Sequence, residues 1–179
     1  MRKIYLFSIF IVFALLMSCS TTINHSRQPV ISSQAKWAVL PFDNNTEKPQ
    51  AGERVAAITA SLLRAGGITN LSVYQPKTSC SQLLTCSGRG LSMKGARIWA
   101  KRRGVRYAMT GAINEWHYKV GLDGEPAVNV TLNLFDMRTG KAVWSAVGSK
   151  IGCSRASLGI VGQKLVREML SRLEITFPL

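Results

Sequence analysis

The clearest structural signal in the chain is residues 127–151, AVNVTLNLFDMRTGKAVWSAVGSKI. Apolar and polar side chains alternate along 128–135, with Val128, Val130, Leu132 and Leu134 on one side and Asn129, Thr131, Asn133 and Phe135 on the other. Such a period of two predicts a strand with one buried face. Residues 136–141 supply a turn in which Gly140 is free to take a positive φ, and 142–151 form the returning strand of a hairpin.

Outward from this hairpin, the chain alternates between short apolar runs and helical patterns. We predict strands at 36–42, 71–74 and 105–113. Helices are predicted at 51–65, which Gly66-Gly67 ends, and at 91–103. A last helix is predicted from a cap at Ser154, and its Gly159 and Gly162 indicate close packing on a sheet. The order β-α-β-α-β-β-β-α predicts an α/β fold with a single mixed sheet packed by about three helices.

One connection in this scheme is too long to be featureless. Residues 114–126 separate two predicted strands and contain Glu115, Asp123 and Glu125. Connections of this length are uncommon in compact domains. Either the strands extend into this segment or the segment is functional.

The N-terminus has the pattern of a bacterial lipoprotein signal. Arg2 and Lys3 precede an apolar run from Ile4 to Met17, and Ser18 stands before Cys19. We therefore expect residues 1–18 to be a signal peptide, residues 19–35 a lipidated, flexible tether, and residues 36–179 one domain. Diacylglycerol and an N-acyl chain on Cys19 are the only bound groups expected. The alternative is a secreted protein with an accidental cysteine.

The residue after the lipidated cysteine bears on location. It is Ser20, and an aspartate that would retain the protein at the inner membrane is absent there. We expect the protein to be anchored to the periplasmic face of the outer membrane. In that oxidising compartment Cys80 and Cys86 either close a small disulfide loop or stay as two thiols, and Cys153 lies apart from both. The sequence has no CxxC pair or His/Cys cluster, so we expect no metal site.

The charge balance is strongly basic. The formal net charge is +14, and removing Arg2 and Lys3 with the signal peptide leaves +12. Such an excess favours nucleic acid or an anionic lipid surface as partner, and a lipid anchor makes the lipid surface the better prediction. No nucleic-acid motif is present. The densest basic cluster comprises Lys94, Arg97, Lys101, Arg102, Arg103 and Arg106. A merely solvated helix face is the alternative for this cluster.

The sequence offers no catalytic pattern, so we expect no enzymatic activity. It contains no GxSxG elbow, P-loop, HExxH or dinucleotide fingerprint. His25 lies in the expected tether, and His117 shares one side of a predicted strand with Glu115, where a structural pair is the simpler interpretation. Asp123 and Glu125 lie in one loop, which makes a weak case for a glycosidase carboxylate pair.

Several segments resemble the PelC family of outer-membrane lipoproteins. The longest is residues 107–126, YAMTGAINEWHYKVGLDGEP, in which 115–126 is the specific part; the others are residues 37–46, 49–52, 136–144 and 154–158. The opening strand is also similar to a broader group of TolB-like and curli-secretion-like lipoproteins. The resemblance implies a fold like the TolB N-terminal domain and a dodecameric ring beneath the outer-membrane β-barrel porin PelB. It also implies an electronegative funnel for the Pel exopolysaccharide, a cationic amino-sugar polymer.

The resemblance directs attention to the few acidic residues. We predict Asp123, with Glu125 and Asp136, as the polymer-guiding acids of the funnel, because a ring repeats each position around a shared axis. The alternatives are local: Asp123 with Gly124 makes a turn, and Asp136 starts the hairpin.

An aromatic belt is also implied. Trp144 alternates with Val143 and Val147, so if those valines are buried we expect an exposed indole at the membrane interface. Its alternative is burial at a subunit contact. For the whole protein, the alternative function is a TolB-like periplasmic scaffolding lipoprotein that binds protein partners without contacting sugar.

Overall fold

A computed structural model describes residues 21–26, 30–75, 93–121 and 124–177. Its helices are α1 (Ala51–Ala65), α2 (Met93–Arg102) and α3 (Leu158–Leu170). Its strands are β1 (Thr21–His25), β2 (Ile31–Ser32), β3 (Trp37–Asn44), β4 (Leu71–Val73), β5 (Tyr107–Tyr118), β6 (Pro126–Asp136), β7 (Ala142–Ile151) and β8 (Ile175–Thr176).

Six strands form one mixed sheet in the order β1-β7-β6-β5-β3-β4. Strand β3 is parallel to both β4 and β5, and the pairs β5–β6, β6–β7 and β1–β7 are antiparallel. Strands β2 and β8 form a separate parallel pair. The predicted α/β fold with one mixed sheet and three helices is confirmed, with β1, β2 and β8 added to the predicted order.

The two faces of the sheet are packed differently. Helices α1 and α3 cover one face over the main core, where Val55 of α1 and Leu165 of α3 are fully buried against Leu132 and other sheet residues. Helix α2 covers part of the other face over a smaller core that includes Leu40, Ala100 and Ala108. Burial of these apolar side chains away from water is the main contribution to the stability of the layers.

The expected tether at 19–35 is wrong for the residues that the structure describes. Thr21–His25 pair antiparallel with residues 146–150 of β7, and Ile31 is completely buried in the main core. The physical reason is that β7 offers a free edge of backbone hydrogen-bonding groups, and Thr and Ile are residues that strands favour. The folded domain therefore includes residues before 36. The predicted signal peptide and Cys19 lie outside the described residues.

Helix α3 begins later than its predicted cap. The N-cap is Ser157, whose Oγ accepts a hydrogen bond from the Ile160 N–H at 3.2 Å, whereas Ser154 lies in the preceding turn. Within the described residues no helix has the length and apolar character to cross a membrane.

Candidate functional site

The strand directions give the sheet two chemically distinct ends. Strands β3 and β5 finish, and β6 begins, at the same end, because β3 and β5 are parallel and β6 returns antiparallel. Five of the eight acidic residues that the structure describes lie at this end, which we call the carboxylate end: Asp43, Glu47, Glu53, Glu115 and Glu125. All are exposed except Glu125, which is half-buried. Lys48, Arg54 and Lys119 lie among them, so the charge there is mixed.

The opposite end is almost entirely basic. It is formed by the start of β3, the end of α2, the start of β5 and the β6–β7 turn. We call it the cationic end, and its exposed cations are Lys36, Lys101, Arg102, Arg103, Arg138 and Lys141. The net positive charge of the chain is thus unevenly distributed along the strand direction.

An irregularity in β5 determines which side chains the carboxylate end exposes. The pairing of β5 with β6 shifts register between Ile113 and Glu115. After the shift Trp116 is 5% exposed, whereas Glu115 and His117 are exposed on the other side of the strand. The predicted shared orientation of Glu115 and His117 is therefore confirmed. Such irregularities re-aim side chains locally.

Trp116 holds this part of β5 against α3. The ring lies so close to Gly162 that a Cβ built at Gly162 would be 2.4 Å from the indole Cη2. Only glycine allows this approach. Nearby, the Leu158 N–H donates a hydrogen bond to the Tyr118 Oη at 3.3 Å, at the start of α3. The carboxylate end of β5 is thus fixed to α3 by packing and by a hydrogen bond.

Strand structure extends into the predicted long crossing from both sides. Strand β5 extends to Tyr118, which pairs with Pro126 at the start of β6. Beyond that pair the Lys119 N–H donates to the Glu125 carbonyl at 2.8 Å, and Gly124 has φ 51°. Glu125 therefore lies at the base of a short loop that a left-handed glycine helps to turn. Asp123, the principal predicted acid, lies outside the described residues.

Polar side chains join the strands on the sheet face opposite the main core. The Asn45 Nδ2 donates to Asn114 Oδ1 at 3.0 Å, Asn114 Nδ2 donates to Asn129 Oδ1 at 3.0 Å, and Asn129 Nδ2 donates to Ser149 Oγ at 3.1 Å. These four residues come from the end of β3 and from β5, β6 and β7. Their chain of amide and hydroxyl groups leads from the carboxylate end across the sheet.

The prediction of Asp136 as a polymer-guiding residue is wrong. Asp136 is 6% exposed at the cationic end, and its Oδ2 is 2.9 Å from an Arg106 guanidinium nitrogen. Its Oδ1 accepts the Arg138 N–H at 2.9 Å, and its carbonyl accepts the Gly140 N–H at 2.7 Å. The carboxylate is committed to the β6–β7 turn and to one ion pair, as the alternative turn role requires. Gly140, at φ 72°, takes the predicted left-handed conformation.

The prediction of an exposed Trp144 is also wrong. Trp144 is 1% exposed in the main core, and Val147 is 41% exposed. The inward-facing positions of β7 are Trp144, Ala146 and Gly148, so Val147 points outward. A Cβ at Gly148 would be 2.8 Å from the Leu165 Cδ1, so α3 packs directly over this small residue. The indole Nε1 finds no acceptor among the described residues.

Other predicted sites remain untested. Cys80 and Cys86, like Cys19, lie outside the described residues, and Cys153 is exposed near the start of α3. Within the described ranges no three His, Cys, Asp or Glu side chains cluster as metal ligands would. Sequence reasoning missed Asp43, Glu47 and Glu53 as companions of Glu115. The signal was available, because the ends of two parallel strands meet at one edge of a sheet.

Comparison with known proteins gives a clear relationship at the level of structure. No family model and no curated protein matches the chain. A PelC dodecamer from Paraburkholderia phytofirmans is 35% identical, with a TM-score of 0.74, over 88% of this chain and 99% of that one. A single-substitution variant of that PelC, also a dodecamer, gives 35% identity and a TM-score of 0.75 over 88% of this chain and 100% of the other.

A more distant likeness concerns the fold alone. A lipoprotein from Neisseria meningitidis is 20% identical over 76% of this chain and 99% of its own, with a TM-score of 0.53. The PelC structures, by contrast, combine 35% identity with coverage of nearly their whole length. On that evidence, this chain belongs to the PelC family.

Proposed function

We propose that this protein is an outer-membrane lipoprotein that forms a ring and guides a cationic exopolysaccharide to its export porin. The solved PelC relatives are dodecamers, and a twelve-membered ring is the assembly proposed here. The polymer is the Pel amino-sugar chain, and the porin is PelB. No chemical step is part of this function, because guidance needs only an attractive path along which the polymer moves.

The observation that carries this proposal is the uneven distribution of charge along the strands. A protein with a large positive net charge repels a cationic polymer unless its acids and bases lie in different places. Here the exposed Glu115 and the half-buried Glu125 lie at one end of the sheet, and the exposed cations Arg138 and Lys141 lie at the other. The carboxylate end can therefore border the aperture while the cationic end lies away from it.

Repetition around an axis makes a few carboxylates sufficient. In a ring each copy contributes the same acids, so Glu115, Glu125 and, by sequence, Asp123 become circles of negative charge. Clefts with low-dielectric walls focus such fields, and rings of acidic side chains favour passage of cations. Each contact must remain weak, so that the polymer moves on.

In this proposal the lipid on Cys19 holds the chain at the periplasmic face of the outer membrane. Cys19 shortly precedes Thr21, which pairs with Lys150 of β7 at the carboxylate end of the sheet, so the anchor joins the domain at that end.

The guiding role is tested by removing the acids nearest the aperture. Asp123→Ala combined with Glu125→Ala is expected to leave the ring mass and the melting temperature unchanged but to reduce polymer export severalfold. The matched control is Glu168→Ala combined with Glu174→Ala, which removes the same charge elsewhere. Export at the normal level in the first variant, or an equal loss in the control, contradicts the guiding role.

Oligomeric state separates the proposal from its alternative. Light scattering on the purified full-length protein is expected to give a mass of many subunits. A monomer would instead favour the TolB-like scaffolding function, in which protein partners are bound without sugar.

The anchor has its own test. Cys19→Ala removes the thiol that accepts diacylglycerol, and the variant is expected to lose outer-membrane fractionation. Retention of that fractionation would require another anchor.

A further inference from the structure

A cavity of about 360 Å³ lies between α2 and the sheet, on the face opposite the main core. Its walls are mainly apolar, and the residues that matter here are Leu40, Ile98, Phe135 and Met137. Leu40 and Met137 are nearly buried in the smaller core, whereas Ile98 is 45% exposed at the mouth. The volume is at the small end of the range for ligand pockets, which suits one slender apolar group.

Three cations border this cavity. Lys94, Arg97 and Lys101 all line it, and their spacing of three and four residues places them on one side of α2. The row extends about 10 Å along the helix, at 1.5 Å per residue. The Arg97 guanidinium lies 4.9 Å from the centroid of the Phe135 ring, so a cation–π contact holds this charge over an apolar wall.

These cations have no carboxylate to neutralise them among the described residues. None of the three takes part in a salt bridge there, and no residue lining the cavity is acidic. Asp136 lies beside the lining residue Met137, but its carboxylate is bonded to Arg106. Residues 76–92, which precede α2 in the sequence and lie outside the described residues, contain no Asp or Glu.

A second cavity provides an internal contrast. It has about 400 Å³ and is bordered by Lys150, Lys164 and Arg167, but Glu168 also lines it. The Glu168 carboxylate is 2.7 Å from the Lys150 Nζ. Basic charge in that cavity is partly neutralised from within the chain, whereas none of the described carboxylates neutralises the charge at the α2 cavity.

We propose that the α2 cavity binds an anionic glycerophospholipid, with part of one acyl chain inside and the phosphate held by Lys94, Arg97 and Lys101. The apolar walls of the cavity favour a ligand with an apolar group. The row of cations, which no described carboxylate neutralises, favours a ligand with an anionic group. A lipid with a charged phosphate head meets both requirements in one molecule. The identity of the lipid's membrane rests on the proposed function, whereas the binding itself depends only on the cavity.

The test is lipid binding by the purified full-length protein in a neutral detergent, measured by native mass spectrometry. The probes are phosphatidylglycerol, phosphatidylcholine and glycerol 3-phosphate. We expect retention of phosphatidylglycerol, with far weaker binding of phosphatidylcholine, whose choline cation cancels the phosphate charge, and of glycerol phosphate, which has no acyl chain. The variant Lys94→Gln/Arg97→Gln/Lys101→Gln should weaken phosphatidylglycerol binding on the order of 100-fold.

The matched control is Arg155→Gln/Lys164→Gln/Arg167→Gln, which removes the same charge from exposed positions around α3. It should retain binding. Equal loss in both variants would show attraction by net charge alone and overturn the proposal, as would equal binding of phosphatidylcholine or no binding by the unaltered protein. Ring mass and export measured on the α2 variant report on the proposed function separately, because unchanged values leave guidance intact whatever the lipid result.

Discussion

The two ends of the sheet place their carboxylates in opposite environments. At the carboxylate end Glu115 is exposed and makes no salt bridge within the described residues. At the cationic end Asp136 is buried, ion-paired with Arg106 and bonded to a turn N–H. The difference shows that scarcity of acids does not mark each of them as functional. Environment decides whether a carboxylate supports the fold or remains available to a ligand.

The largest effect on stability is expected from Trp144, which contributes to the main core beneath the β6–β7 hairpin. Trp144→Ala should lower the free energy of unfolding by about 3–5 kcal/mol, because it removes a fully buried ring and leaves a cavity. Denaturant unfolding at fixed protein concentration measures this. Trp144→Phe is the control and should cost about 1 kcal/mol, since the ring volume is largely kept. If the alanine variant lost less than about 1 kcal/mol of unfolding free energy, Trp144 would have to be exposed and not buried.

The next effect tests the structural carboxylate at the cationic end. Asp136→Ala should cost about 2 kcal/mol, because Arg106 loses its partner and the Arg138 N–H loses its acceptor. Thermal unfolding with and without the change measures the loss. Arg138→Ala, at an exposed position of the same turn, should be near neutral and serves as its control. If Asp136→Ala reduced polymer export without reducing stability, Asp136 would be a functional residue and not a structural one.

Substitutions at two glycines of α3 test whether Trp116 holds β5 against that helix. Gly162→Ala should destabilise by about 1–2 kcal/mol, because its Cβ would meet the Trp116 ring. Gly159→Ala meets only the Ser157 Oγ at 4.0 Å and should stabilise by about 0.5 kcal/mol through helix propensity. Calorimetry of both variants compares them directly. Equal effects of the two changes would mean that Trp116 does not hold β5 against α3.

The smallest effect on stability is expected at the carboxylate end itself. Glu115→Gln combined with Glu125→Gln should change the free energy of unfolding by less than about 0.5 kcal/mol, because the two side chains are exposed and half-buried. Polymer export should fall nonetheless. A large loss of stability would show these acids to be structural, like Asp136.

Local patterns predicted most of the architecture. The alternation at 128–134 and the Gly140 turn give the β6–β7 hairpin, and the apolar spacing of 51–65 gives α1 with the same bounds in the structure. The β-rich character of 105–113 identifies β5, whereas its extension to Tyr118 depends on pairing with β6.

The predictions that were wrong concern features that depend on contacts between residues distant in sequence. Pairing of Thr21–His25 with β7 joins segments more than a hundred residues apart, and no local pattern reports it. The ion pair between Arg106 and Asp136 depends on the register of β5 against β6. The orientation of Trp144 depends on how α3 packs over Gly148. The alternation of residues in β7 carries no information about that packing.

The central claim is that the carboxylate end borders the aperture of a ring and the cationic end lies away from it. A structure of the assembled protein by electron microscopy tests this most directly, through the positions of Glu115, Glu125, Arg138 and Lys141 relative to the symmetry axis. We expect both glutamates to face the aperture, and Arg138 and Lys141 to lie outside it. An aperture lined by Arg138 and Lys141, with both glutamates on the outer surface, would contradict it.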